Sequence, residues 1–430
     1  MNASQKPHVL CAPSELSYNQ KLLFQADIDY TYEAQILPKN TILAGNPISF
    51  HLESGEDFLD LSRTVLTVEI LTTDDAGEGI NALTEDVALI NNTLSSLFSG
   101  ATISLRDTVI SHSDQNYAYR SYLENLLNFS TATKRNRLKK SGFVMDKATL
   151  FDDKTNPGFR ARRASVKGGR LLELSGRLHL DVVFQQLLIP NHVDVNINLT
   201  PSRQQFVVQS FMADNSFNVQ IVSAKLSVTK AKLFPNKAVE FENFIAREPI
   251  RLPIKFVKVQ TVSIPQGLTS FARNNIFTGE LPDTLICGIV TNESYAGSWA
   301  TNPFNFAHFN LSSIQCRING RSVPTHAIQP NFADGNFTGA YESLFKALGT
   351  DLEDWDNGID QDLFSGGCAL YGFSFGAGTI CPHDLANLHG SIDLEISFST
   401  ALPKTVSLVL YSQAPSTIII DKHRNVLVEL

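Results

Sequence analysis

Alternation of apolar and polar residues with a period of two recurs along this chain, and it predicts strands with one buried and one wet face. Ile48, Phe50 and Leu52 alternate with polar partners, as do Leu66, Val68 and Ile70. The longest runs set Val193, Val195, Ile197 and Leu199 against Asp194, Asn196, Asn198 and Thr200, and Ile392, Leu394, Ile396 and Phe398 against Asp393, Glu395 and Ser397. Asn319-Gly320, between Ile318 and Val323, marks a hairpin, because a type I′ turn needs positive φ at both central residues. Helical spacing stands out twice: Tyr119, Tyr122, Leu123, Leu126 and Leu127, then Tyr341, Leu344, Phe345 and Leu348 with Gly349 placed to end the helix. Many strands and two helices predict an all-β chain of two tandem antiparallel sandwiches, each with a short accessory helix.

The two halves resemble each other. A strand around Ile103 and Leu105 leads through a loop to the first helix, and Ile314, Cys316 and Ile318 lead to the second, with Tyr119 and Tyr341 222 positions apart. Two later strand pairs repeat at similar offsets, 214 from Gly176 to Gly390 and 213 from Val193 to Val406. A period this long points to duplication of a whole domain, not to a solenoid repeat. The division expected is an arm at 1–14, a first sandwich at 15–235, a linker at 236–250 and a second sandwich at 251–430.

With 430 residues, 43% of them hydrophobic and 18% charged, the chain can fill two cores. The five cysteines are scattered without a CxxC pair, so reduced thiols are expected. The first twenty residues lack a cationic stretch followed by an apolar one, which reads as a protein made and kept in cytosol or nucleus. A net charge of −8 argues against coating nucleic acid with the whole surface.

One segment departs from that balance. Between Lys134 and Arg170 there are twelve Lys or Arg and three acids, a local charge of +9 on a remainder of −17. Lys134, Arg135, Arg137, Lys139 and Lys140 begin it, and Arg160, Arg162, Arg163, Lys167 and Arg170 extend it as one basic loop. Nuclear targeting, contact with nucleic acid or an anionic membrane, and a plain exposed loop all remain open for it.

Three other patterns have bland readings that outweigh the chemical ones. Gly372-Phe-Ser374-Phe-Gly376 fits the GxSxG nucleophile elbow, but Tyr371, Phe373 and Phe375 alternate like a strand and no helix-forming run follows. Cys368, Cys381, His383 and His389 offer thiolate and imidazole, yet their spacing matches no common zinc site. Asp351, Glu353, Asp354, Asp356, Asp360 and Asp362 resemble a calcium loop in composition only, because Gly358 falls one place early when Asp354 is the first ligand. No catalytic, cofactor-binding or metal-ligating residue is assigned.

Several segments in order resemble the major capsid proteins of Polinton (Maverick) elements and adintoviruses. They are Asp57-Phe-Leu-Asp-Leu61, the run from Tyr117 to Phe129, Leu174 to Asp181, Asn302-Pro-Phe-Asn-Phe306, Tyr341 to Phe345 and Ile420 to Leu430. The resemblance implies a double jelly roll of the lineage that includes adenovirus hexon, with no enzymatic activity and no cofactor. It further implies homotrimers with a pseudo-hexagonal outline that meet neighbouring trimers, penton and minor capsid proteins in a virion shell. Such a protein is made in host cytoplasm, with nuclear assembly as one route. The basic segment is then expected to face genome DNA or an internal membrane, and Asn302–Phe309 and Gly339–Asp362 to supply contacts between subunits. The alternatives are a tandem carbohydrate-binding or cupin-like sandwich, and a host-retained copy that builds no particle.

Overall fold

A computed structural model describes residues 27–74, 77–80, 86–212, 217–375 and 389–429. The first half contains β1 (Ile28–Ile36), β2 (Ile48–Leu52), β3 (Phe58–Asp74), β4 (Val87–Leu89), β5 (Phe98–Leu105), β6 (Thr108–Ser113), β7 (Leu172–Gly176), β8 (Val195–Pro201), β9 (Val208–Ser210) and β10 (Phe217–Leu233). The second contains β11 (Ile250–Ile264), β12 (Ser270–Glu280), β13 (Thr284–Thr291), β14 (Leu311–Ile318), β15 (Arg321–Ile328), β16 (Leu370–Ser374), β17 (His389–Phe398), β18 (Val406–Ile420) and β19 (Val426–Glu429).

Each half is a jelly roll of two four-stranded walls. In the first they run β1-β10-β3-β7 and β2-β8-β5-β6; in the second they run β11-β18-β13-β16, with β19 added beside β18, and β12-β17-β14-β15. Apart from the short β4-β9 pair and β19, the strands hold the same ranks in both halves. The alternating positions meet in the cores: Ile48, Phe50 and Leu52, like Ile392, Leu394 and Ile396, are all nearly inaccessible. Asn319 and Gly320 take φ of 49° and 81° and close the β14–β15 hairpin.

The topology corrects two of the expected offsets. Leu174 and Val195 lie on the sixth and seventh core strands of their half, whereas Ile392 and Val406 lie on the seventh and eighth of theirs. Offsets of 214 and 213 therefore align non-equivalent strands. The true partners are β7 with β16 and β8 with β17, starting at Leu172 and Leu370 and at Val195 and His389. The spacing shrinks because the first half holds a longer insertion between its helix and its sixth core strand. Local alternation looks alike on every half-buried strand, so it could not tell one strand from the next.

Ile28 pairs with Leu233, and Ile250 with Ile420, so each half begins and finishes at one end. Antiparallel pairing then places the connections after the first, third, fifth and seventh core strands of each half at the far end. The expected linker at 236–250 is largely helix, Pro235–Ile245, started by Pro235 in its first turn. Phe241 of that helix packs edge-on against Phe58 at 4.9 Å.

Candidate functional site

The features that stand out chemically lie along the seam between the jelly rolls and in the insertion that follows the first helix. Residues of each half complete the other's core. Tyr119, Tyr122, Leu123, Leu126 and Leu127 of the helix Tyr117–Asn128, with Phe143 and Phe151 of the insertion, belong to the second core. Leu252, Ile254, Ile418, Ile420 and Val426 belong to the first. Tyr122 stacks on Phe304, and Tyr119 packs against Tyr295, Phe304 and Phe306.

A buried ionic chain runs through the middle of the seam. Arg120, 1% exposed, donates to Glu124 Oε1 at 3.0 Å, Asp181 Oδ1 at 2.5 Å and Ser111 Oγ at 3.1 Å. Asp181 Oδ1 also accepts the Val257 N–H of β11 at 2.9 Å, and Glu124 Oε2 lies 2.6 Å from His179 Nδ1. Burial opposes charge on Arg120, but Asp181 and Glu124 outweigh it and push the guanidinium further up. Burial also works against charge on Glu124, yet Arg120 and His179 hold its carboxyl below the ordinary value.

At the far end the basic and acidic segments meet. Lys134 is 1% exposed and donates to the backbone carbonyls of Leu126 and Asn357. Burial lowers its pKa to about 8, with Cys368 and Asp356 opposing the shift. Thr131 donates its hydroxyl to Asp356 Oδ2 at 2.8 Å and its backbone N–H to the Asp356 carbonyl at 3.1 Å. Hydrogen bonds from the Gly358 N–H and then Thr131 hold the Asp356 carboxyl down.

A second buried carboxylate organises the insertion. Asp146 Oδ1 accepts from Arg162 and Asn156, each at 2.9 Å, and Oδ2 accepts from Asn91 at 3.1 Å and Asn302 at 3.4 Å. Asp152 accepts the Asn302 N–H at 2.6 Å and the Asn305 side chain at 2.7 Å. Asn302, Phe304 and Phe306 are all fully buried inside one chain. This corrects the expectation that they form a subunit contact: their polar and aromatic groups are used to join the halves.

The basic segment is not one loop. It holds the helices Thr131–Asn136 and Pro157–Ser165 and the 3-10 turns Leu138–Ser141 and Lys167–Gly169. The Asn156-Pro157 pair was a legible start signal, since Asn156 Oδ1 caps the Gly158 N–H at 3.0 Å. Lys134 and Arg162 are structural cations, and Arg163 donates to Asp86 at 2.6 Å. Arg135, Arg137, Lys139, Lys140, Arg160, Lys167 and Arg170 remain exposed.

Gly372 lies within β16, where an added Cβ would sit 2.6 Å from the Ala347 Cβ and the Ser343 carbonyl. The glycine thus lets the helix Thr338–Leu348 lie directly on the strand, which explains that part of the GxSxG pattern by packing. Gly376, Cys381 and His383 lie outside the described residues. Among the described residues no group of three or more His, Cys, Asp or Glu could hold a metal ion. Asp360 instead caps the helix Gln361–Ser365 through the Leu363 N–H. Cys287, Cys316 and Cys368 are free and buried, and burial raises all three thiols, Cys368 to about 12. Among the described residues no helix is long and apolar enough to cross a membrane.

No family model matches the chain. The Caenorhabditis elegans protein F54H12.2, itself uncharacterized, is 26% identical over 346 residues, 78% of this chain and 81% of that one. Among solved structures, a chain of the Sputnik virophage superposes with a TM-score of 0.67 at 11% identity, covering 100% of this chain and 93% of its own. A chain of the PBCV-1 virus capsid reaches 0.58 at 12% identity over 95% and 98%, and the mavirus major capsid protein 0.54 at 12% identity over 100% and 96%. The fold is the double jelly roll, and these structural neighbours are viral major capsid proteins. The narrower Polinton and adintovirus resemblance remains a proposal.

Proposed function

We infer that the chain is a major capsid protein of the Polinton and adintovirus kind, whose homotrimers tile an icosahedral shell. The observation that carries this is the repeat of one jelly-roll topology twice in the same sense, near ends together and far ends together. Arg424 donates to the Asn191 carbonyl at 3.1 Å at the near ends, while Thr131 meets Asp356 at the far ends. Three such chains around an axis present six similar sandwiches, so a closed trimer acquires a hexagonal outline able to tile a facet. Electron microscopy of the purified protein tests this: trimers of hexagonal outline are expected. A monomer with bound metal would favour a carbohydrate-binding or cupin-like role.

A second reading keeps the fold but not the particle. The nematode relative favours it, since a protein of similar sequence occurs in an animal. Expression in a host cell that yields trimers but no particles under assembly conditions would support a retained copy.

In the capsid reading the partners are neighbouring trimers, penton and minor capsid proteins. The exposed cations Arg135, Arg137, Lys139, Lys140 and Arg160 are the contact for genome DNA or an internal membrane, with nuclear targeting the other use of the same set. Replacing the first four with Gln is expected to lower the nucleic-acid content of particles while trimers persist. Unchanged content and unchanged cellular distribution would remove the assignment. Lys134 and Arg162 are left intact in this design because their loss would act on the fold.

A further inference from the structure

The two jelly rolls are topological copies, yet their accessory helices are covered unequally. Tyr117–Asn128 is buried at every position except its last, whereas Thr338–Leu348 buries only Ala340, Leu344 and Ala347. The offset of 222 between the first residues of β1 and β11, Ile28 and Ile250, also relates the helices through Tyr119 and Tyr341. At that offset Arg120 and Glu124 correspond to Glu342 and Lys346, and Leu123 to Phe345. Both pairs are i,i+4 ion pairs, at 3.0 and 3.3 Å, with the charges exchanged. The first is buried; in the second the Lys346 and Glu342 side chains are 61% and 55% exposed.

What covers the first helix is the second half. Asn116, its cap position, donates to the Val259 carbonyl of β11 at 3.2 Å and accepts from Tyr295 at 3.1 Å. The counterpart of β11 is β1, and most of that strand and of the turn after it is exposed. Tyr30 is 49% exposed, Leu37 71% and Leu43 57%, and Leu37 falls level with Lys258 and Val259 of β11 once the irregularity between Ile28 and Tyr30 is counted. Among the described residues, one molecule thus shows a helix face without its strand and a strand without its helix. They are the two sides of a contact the chain already makes once.

We propose that the outer face of Thr338–Leu348 in one copy packs on β1 and its following turn in the next copy, repeating between chains the seam found within each. The proposal rests on the trimer reading and deepens it by naming the surfaces. The contact is heterologous, and it closes after three chains when each seam turns the next sandwich by one sixth of a circle. Phe345 and Leu37 lie at its apolar centre, flanked by Glu342 and Lys346.

Phe345→Glu and Leu37→Glu each remove one side of the contact. Native mass spectrometry is expected to show trimers for the unaltered protein and monomers for each variant. An equimolar mixture of the two is expected to give a dimer, because the first variant keeps a sound β1 and the second a sound helix, while no ring can close. Glu342→Arg and Gln35→Arg, both at exposed positions, repeat the experiment should either apolar position prove needed for folding. Variants that remain trimeric, or monomers that do not pair on mixing, overturn the proposal and leave the trimer reading intact. An unaltered protein that stays monomeric overturns the trimer reading itself.

Discussion

Tyr122 and Phe304 stack across the boundary between the jelly rolls, with ring centroids 4.1 Å apart and ring planes 3° from parallel. One residue lies on the first half's helix and the other on a second-half loop, so a single contact couples the two cores. Phe304→Ala is expected to cost about 3–5 kcal/mol, the usual range for emptying a buried aromatic site. Urea unfolding followed by fluorescence and by circular dichroism should show it as a lower midpoint, with the two probes separating as the halves uncouple. A change below about 0.5 kcal/mol, the scale of ordinary surface substitutions, would show the seam to be redundant.

Arg120 neutralises two carboxylates that water does not reach. Arg120→Met is expected to destabilise the fold by about 3–5 kcal/mol at neutral pH, because Glu124 and Asp181 are left buried beside no guanidinium. The folded-state carboxyl of Glu124 lies below its ordinary value of 4.5. Its contribution is therefore fully present above that value and is lost as pH falls through the lower folded value. The deficit of the Met variant should shrink over the same acidic window, which stability curves at stepped pH would reveal.

Lys134 titrates in the opposite direction. Its pKa falls from 10.5 unfolded to about 8 in the fold, so between those values the unfolded chain binds more protons and stability rises with pH. Below about 8 both states are charged and the cost of burial is fully felt. The rise is expected in the unaltered protein and absent from Lys134→Met. Thermal unfolding between pH 7 and 11 checks it, and parallel curves for the two proteins would count against this lysine as the source.

Much of the fold could be read directly. The period of two along Ile392 to Phe398 marked a half-buried strand, and Asn319-Gly320 marked the β14–β15 hairpin, because both depend on neighbours a few residues away. The two amphipathic helices were legible for the same reason. The helix Pro235–Ile245 was not, since it buries only Ile245 fully and its apolar stripe is thin. The basic segment misled because charge along a chain does not say which cations stay wet. Lys134 and Arg162 look like Arg135 and Arg160 in sequence, yet the first two are buried against backbone carbonyls or a carboxylate.

The amino-acid sequence alone determined what short-range physics controls: the strands, the turn chemistry, the two helices and the presence of a duplication. Only the tertiary structure decided which strands of the two halves are equivalent, that Asn302–Phe306 joins the halves inside the chain, and that Asp356 meets Thr131. Each of those pairings spans more than a hundred residues. Its energy comes from desolvation and close packing that exist only once both partners are brought together, so no local pattern records it.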